Sequence, residues 1–165
     1  MKLLTLIFLF LLSSVASADL TGTALIVDGD TITISGNKIR LSGIDTPEKN
    51  QTCRKGGITW RCGYEASETL RNWTYTKEVR CVGDIKDRYG GLIANCFVDG
   101  YNVNARLVHE GLALAYRKYS KQYVPEEDKA RAAKRGMWAG EFVPPWDWRK
   151  GKRLDSPEAS IACCR

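Results

Sequence analysis

Three β-branched runs near the start of the sequence, TGTALIV (21–27), TITIS (31–35) and IRLSGI (39–44), are separated by only a few residues each. Asp28-Gly29-Asp30 joins the first pair, and Asp-Gly is a strong turn signal. The second reversal falls at GNK (36–38). Runs of this composition joined by such short connectors form an antiparallel meander of three strands.

The rest of the chain adds to that meander in a definite order. Residues 49–62 read as a polar, Gly-containing loop. Apolar residues at helical spacing predict a helix over roughly 64–76. VRCVGDI (79–85) and LIANCFV (92–98) are two more strands around a turn at Arg88–Gly90. NVNARLVHEG (102–111) is a short helix stopped by Gly111. A third helix spans 124–136, with Pro125 near its start, acids early, bases late and Gly136 as its stop. Five short strands with a helix between the third and fourth suit an α+β, mainly β fold: a five-stranded Greek-key barrel of the OB type with three helices. Residues 19–148 form this domain. Residues 149–165 are charged, lack periodicity and are expected to be a mobile tail. No internal repeat is visible.

The first 18 residues are expected to be a cleavable secretory signal. Lys2 precedes an apolar run ending near Val15, followed by Ala16-Ser17-Ala18. That run is shorter than the roughly 20 residues a membrane span needs. Export to the periplasm or medium follows, with no membrane association of the mature chain and a monomer expected. The formal net charge of +6 favours anionic partners, nucleic acid among them.

Export also permits disulfides. Cys53 and Cys62 bracket the polar loop, and Cys81 and Cys96 lie on the two strands of the second hairpin. These positions suggest 53–62 and 81–96 pairings, although spacing alone does not determine connectivity. Cys163 and Cys164 have no assigned partner. A zinc site is a poor alternative, because no CxxC pair exists and His109 is the only histidine.

Three acids, Asp30, Asp45 and Glu48, follow strands, and Asp28 stands two residues before Asp30. If the three strands curve as one sheet, Asp30 and Asp45 converge at one end, where carboxylates and backbone carbonyls can hold Ca²⁺. An EF-hand is a poor alternative, with Thr33 rather than Gly and Ile39 rather than Glu at the sixth and twelfth positions counted from Asp28. The plainer account of Asp28-Gly29-Asp30 is a hairpin turn. Arg40, on the strand leading into this end, has two accounts as well: a surface strand arginine, or a guanidinium beside an acid cluster. The second arrangement stabilises the charge that builds on a phosphoryl group.

Taken together, IVDGDTITI, IRLSGIDTPE, DRYGGLIA, NVNARLVHEGLALAY and GMW resemble the staphylococcal nuclease-like (thermonuclease) family in order and spacing, over roughly Leu20 to Trp138. The resemblance implies a calcium-dependent endonuclease that hydrolyses single-stranded or locally melted DNA and RNA and leaves 3′-phosphates. It places the metal carboxylates on Asp30 and Asp45, a carbonyl ligand on Thr46 and a surrounding acid on Asp28. It places the water-orienting carboxylate on Glu48, one phosphate arginine on Arg40 and nucleotide-lining tyrosines on Tyr89 and Tyr116.

One position departs from the pattern. Gly91 stands where the family carries a second phosphate arginine. Counting inward from Cys81 opposite Cys96 puts Lys86 opposite Gly91, on the same sheet face. Lys86, or Arg88 in the turn, is thus the expected substitute. Two other classes remain open: the same barrel as a binding module with catalysis weakened or lost, and an envelope structural domain. His109 is expected to be a residue near a helix end rather than a base. The five tryptophans are expected mainly to pack, with PPWDWRKGKR (144–153) as a strap laid on the domain and a minor role in binding nucleic acid.

Overall fold

The computed structural model describes residues 18–154. The expected signal (apart from Ala18), Cys163 and Cys164 lie outside the described residues.

The meander forms as expected. β1 (Ala18–Asp28) pairs antiparallel with β2 (Thr31–Ile34), and β2 pairs antiparallel with β3 (Asn37–Leu41). The second reversal lies one residue earlier than GNK. Ile34 pairs with Asn37, and Ser35 and Gly36 both take positive φ, 49° and 78°, as a tight hairpin turn requires. After helix α1 (Cys62–Thr74), β4 (Glu78–Lys86) pairs with the outer half of β1, and β5 (Leu92–Val98) pairs with β4. A parallel pairing of β3 with β5, Ile39 opposite Leu92 and Leu41 opposite Ala94, closes the five strands into a mixed barrel. This is the OB-type architecture that the order of elements implied.

Alternation along β5 shows why the barrel has an inside. Leu92, Ala94, Cys96 and Val98 are buried while the residues between them are half-exposed. They meet Ile32, Ile34 and Ile39 in one apolar core, and α1 and α2 (Val103–His109) pack onto it. α3 (Val124–Ala132) lies against α2 and carries Glu127 into the interior. The 49–62 segment is more ordered than a loop. Cys53–Lys55 and Ile58–Trp60 form a small hairpin, tied to the start of α1 by the Cys53–Cys62 disulfide. The second disulfide, Cys81–Cys96, crosses β4 and β5 at directly paired positions.

Two close contacts carry this frame to the barrel end that holds the acids. Asn104 is fully buried; its Nδ2 donates to the carbonyls of Ser42 and Ala94 at 3.0 and 3.1 Å, and its Oδ1 accepts from Cys96 N. It thereby anchors the turn after β3 from which Ile44 and Asp45 emerge. Gly63, in the first turn of α1, lies against the segment containing Glu48. A Cβ there would stand 1.8 Å from the Glu48 carbonyl oxygen, inside any permitted contact. Gly63→Ala is therefore expected to lower stability by about 1–3 kcal/mol through overpacking. Chemical denaturation of the variant against the parent checks this; unchanged stability would mean that α1 does not press on the Glu48 segment.

Candidate functional site

The Asp28-Gly29-Asp30 turn divides its two aspartates between the two roles open to it. Asp28 does turn work: its Oδ1 accepts the Asp30 N–H at 3.1 Å. Asp30 points inward and is 4% exposed; its Oδ1 accepts from the Thr31 hydroxyl and its Oδ2 from Thr46 N. Asp45 comes from the short Ile44–Asp45 strand, which pairs with Leu114–Ala115, and its side chain is 0% exposed. The two carboxylates meet at one atom. Arg40 Nη2 donates to Asp30 Oδ2 at 3.0 Å and to Asp45 Oδ1 at 3.3 Å. Arg40 thus belongs to the acid cluster rather than to an open strand surface.

Burial dominates the electrostatics. Removal from water pushes the Asp30 carboxyl up to about 7, with Asp28 and Asp45 adding to the rise and Arg40 opposing it. Asp45 is also raised, because its burial outweighs the pull of Arg149 and Arg40. Even with these guanidinium groups beside them, burial disfavours the charged form of both carboxylates. The donors are all oxygen, which suits a hard cation. Among the described residues no group of three or more His, Cys, Asp or Glu gathers as ligands. A cation on Asp30 and Asp45 would therefore complete its shell with carbonyl and water oxygens.

Arg149 is the residue that the sequence did not single out. Its Nη2 donates to Asp45 Oδ2 at 2.6 Å, and its Nη1 donates to Asp45 Oδ1 at 3.1 Å and to Glu48 Oε1 at 2.7 Å. These bonds raise the arginine's own pKa further. It lies one residue past the expected domain end at 148, yet it is bonded into the acid cluster. A short helical turn, Pro145–Trp148, delivers it. Trp146 stacks on Tyr116 with centroids 5.8 Å apart and planes 4° apart, and three residues later Arg149 lies on the same face of the turn. Gln51, fully buried, ties this strap to the acids. Its Nε2 donates to the Val143 carbonyl at 2.6 Å, and its Oε1 accepts from Glu48 N at 3.1 Å. The only sequence signal for Arg149 is a Trp-x-x-Arg spacing inside a run of other bases.

Of the other expected residues, Tyr116 reaches the site. Its backbone N–H donates to the Gly43 carbonyl, and Glu127 holds the adjoining chain through Ala115 N and the Arg117 guanidinium. Tyr116, Arg117, Lys118, Trp146, Arg149 and Lys150 line a groove of about 520 Å³. Thr46 is buried beside Asp30. Glu48, with its side chain 42% exposed, is open to water on one side.

Lys86, Arg88 and Tyr89 make no hydrogen bond or ion pair with Asp30, Asp45 or Glu48 among the described residues. The expected Lys86–Gly91 pairing is corrected by a bulge: Cys81 faces Cys96 and Val82 faces Asn95, but Ile85 faces Ile93 and Lys86 faces Leu92. Gly83 lies in that irregularity, where a Cβ would stand 2.2 Å from the Ile93 carbonyl oxygen. A slip of one residue moves a side chain to the other face, so the register argument for Lys86 is lost. Arg88 lies over the Tyr89 ring at 5.1 Å, and Tyr89 is 80% exposed at the hairpin tip. Asp87 closes that tip by accepting from Tyr89 N and Gly91 N, while Gly90 supplies the positive φ. His109 sits near the end of α2 beside Glu110 and Arg135, as expected, and Trp60, Trp138 and Trp146 pack around the Cys53–Cys62 disulfide.

The raised Asp30 carboxyl has a signed consequence. Between its ordinary value of 3.8 and about 7, the folded state keeps a proton that the unfolded chain has released. The residue's contribution to stability therefore falls as pH rises through that window. In EGTA, the melting temperature of the parent is expected to fall relative to that of Asp30→Asn between pH 5 and pH 8. Melting curves of both proteins across that range check this. A pH-independent difference would show that Asp30 ionises normally.

Comparison with known proteins gives the family. Residues 38–140 match the family described as Staphylococcal nuclease homologue. The chain is 34% identical over 138 residues to an "Uncharacterized endonuclease" of Haemophilus influenzae, covering 79% of this chain and 72% of that protein. It is 32% identical over 157 residues to a "Micrococcal nuclease" of Shigella flexneri, covering 84% and 85%. It is also 33% identical over 127 residues to "Succinoglycan biosynthesis protein ExoI" of Rhizobium meliloti, covering 74% and 66%.

Proposed function

Since the chain belongs to the staphylococcal nuclease homologues, we propose that it is a calcium-dependent endonuclease that cleaves DNA and RNA strands and leaves 3′-phosphates. The observation that carries this reading is the convergence of Asp30 and Asp45 on one Arg40 nitrogen, with Glu48 joined to Asp45 through Arg149. A calcium ion would be held by Asp30, Asp45 and the Thr46 carbonyl, and would supply charge that stabilises phosphoryl oxygens.

The chain's own groups do the rest. Glu48, partly open to solvent, orients a water and takes its proton. The water oxygen bonds to phosphorus as the bond from phosphorus to the 5′ oxygen breaks. The leaving 5′ oxygen takes a proton from solvent water, and Glu48 returns the one it removed to solvent. Arg40 donates to the phosphoryl oxygens as their charge grows. Arg117, Lys118 and Lys150 border the groove beside two aromatic rings, a combination that suits a single-stranded backbone and its bases. The basic net charge supports the same partner. Action after export, in the periplasm or medium, is part of the proposal and is supported by the two disulfides.

Gly91 favours a second reading, a barrel that binds nucleic acid without cleaving it. One assay separates the two. The protein is incubated with single-stranded DNA in Ca²⁺ and in EGTA, beside Glu48→Gln. Cleavage is expected only in Ca²⁺, with 5′-hydroxyl and 3′-phosphate ends by mass spectrometry. Glu48→Gln is expected to lose about 10²–10⁴-fold in rate. Binding without cleavage by the parent would establish the binding module instead.

A further inference from the structure

We propose that Arg149, carried in by the strap that follows the barrel, is the second phosphate-binding guanidinium of this site, in place of the one missing at Gly91. The proposal deepens the endonuclease reading and rests on it.

Position is the first argument. The Arg149 fork spans Asp45 and Glu48, the carboxylates assigned to the cation and to the attacking water. A group between those two stands beside the phosphorus that the water must reach. The second argument is preorganisation. Arg149 is not a loose tail cation: Trp146 stacked on Tyr116 sets the turn that bears it, and Gln51 fastens Val143 just upstream to the Glu48 backbone. Guanidinium groups held before substrate arrives cost little reorganisation when charge develops.

Capacity is the third argument. Three of the five N–H donors of a guanidinium are engaged here, and the side chain is 38% exposed. Donors therefore remain for a phosphoryl oxygen arriving along the groove that Arg149 lines. A cation on Asp45 would also weaken the hold of that carboxylate on the fork, leaving more of it for substrate. The two bases on the hairpin make no bond to the acid cluster among the described residues. Lys86 faces Leu92 across the strand pair, and Arg88 lies on the exposed Tyr89.

The test compares the parent, Arg149→Ala and Arg149→Lys in Ca²⁺ on single-stranded DNA, with melting temperatures measured alongside. Arg149→Ala is expected to lose about 10²–10³-fold in kcat. Arg149→Lys, which keeps the charge without the fork, is expected to retain an intermediate rate. A second readout needs no cleavage. In a Glu48→Gln background with Ca²⁺, adding Arg149→Ala should weaken binding of a labelled single-stranded oligonucleotide. It should also reduce the slope of log K against log salt by about 0.7, the value of one lost phosphate contact. A kcat/KM within threefold of the parent, an unchanged salt slope, or a faster Arg149→Ala enzyme overturns the proposal. The last result would make Arg149 a plug on the acids rather than a partner of the substrate. If Arg149→Ala does not fold, Arg149→Lys decides: parental kcat in that variant overturns the assignment. A parent that does not cleave in Ca²⁺ ends the endonuclease reading and this assignment together. A cleaving parent with an equally active Arg149→Ala removes only the assignment.

Discussion

Asp30 and Asp45 are removed from water at one end of a small barrel and directed at the same guanidinium nitrogen. Burying two carboxylates side by side is costly, and one arginine does not neutralise both. The neighbouring structure responds to that shortage of positive charge. Arg40 projects from the strand that closes the barrel against β5, Thr46 N turns toward Asp30, and a second arginine comes in from the far end of the described chain. A site so arranged favours arriving positive charge.

The parts of the fold that depend on local pattern were readable. β-branched runs between tight turns gave three strands, and helical spacing of apolar residues located α1 to within two residues at each end. Paired cysteines on facing strands marked a register that the Cys81–Cys96 pairing shares. The failures share a physical cause: each depended on contacts distant in sequence. Lys86 was misplaced because Gly83 permits a bulge against the Ile93 carbonyl, and nothing local distinguishes a glycine in a bulge from one in a regular strand. Gln51, Asn104 and Glu127 read as ordinary polar residues. Each is buried; Gln51 and Asn104 bond segments far along the chain, and Glu127 bonds the Ala115–Arg117 stretch that precedes its own helix.

Arg149 is the sharpest case. By composition it is one base among Arg149, Lys150, Lys152 and Arg153, in a stretch that lacks periodicity. Its neighbours do what the pattern suggests: Lys150 and Lys152 pair with Asp147, and Arg153 covers Trp148. Only the three-dimensional path of the strap separates Arg149 from them. The apolar half of that strap was legible as packing, and it is the packing that aims the arginine. Trp146 belongs to the cluster around Cys53, Cys62, Leu114 and Met137.

This arrangement changes what a gap in a motif means. A guanidinium on a hairpin tip is held by the turn alone, and here that turn is closed by Asp87 over two glycines. Arg149 is held by the turn whose Trp146 stacks on Tyr116, by the small core beneath the strap and by a buried glutamine. Tyr116 is in turn placed by its bond to the Gly43 carbonyl and by Glu127 from α3. The disulfide between Cys53 and Cys62 lies inside that same small core. Charge at the acid cluster is therefore coupled to elements outside the five strands, and a change under the strap can reach Asp45 and Glu48 without altering either. The motif-bearing barrel supplies the carboxylates. The segment after it adds Arg149 to the Arg40 that the barrel already provides.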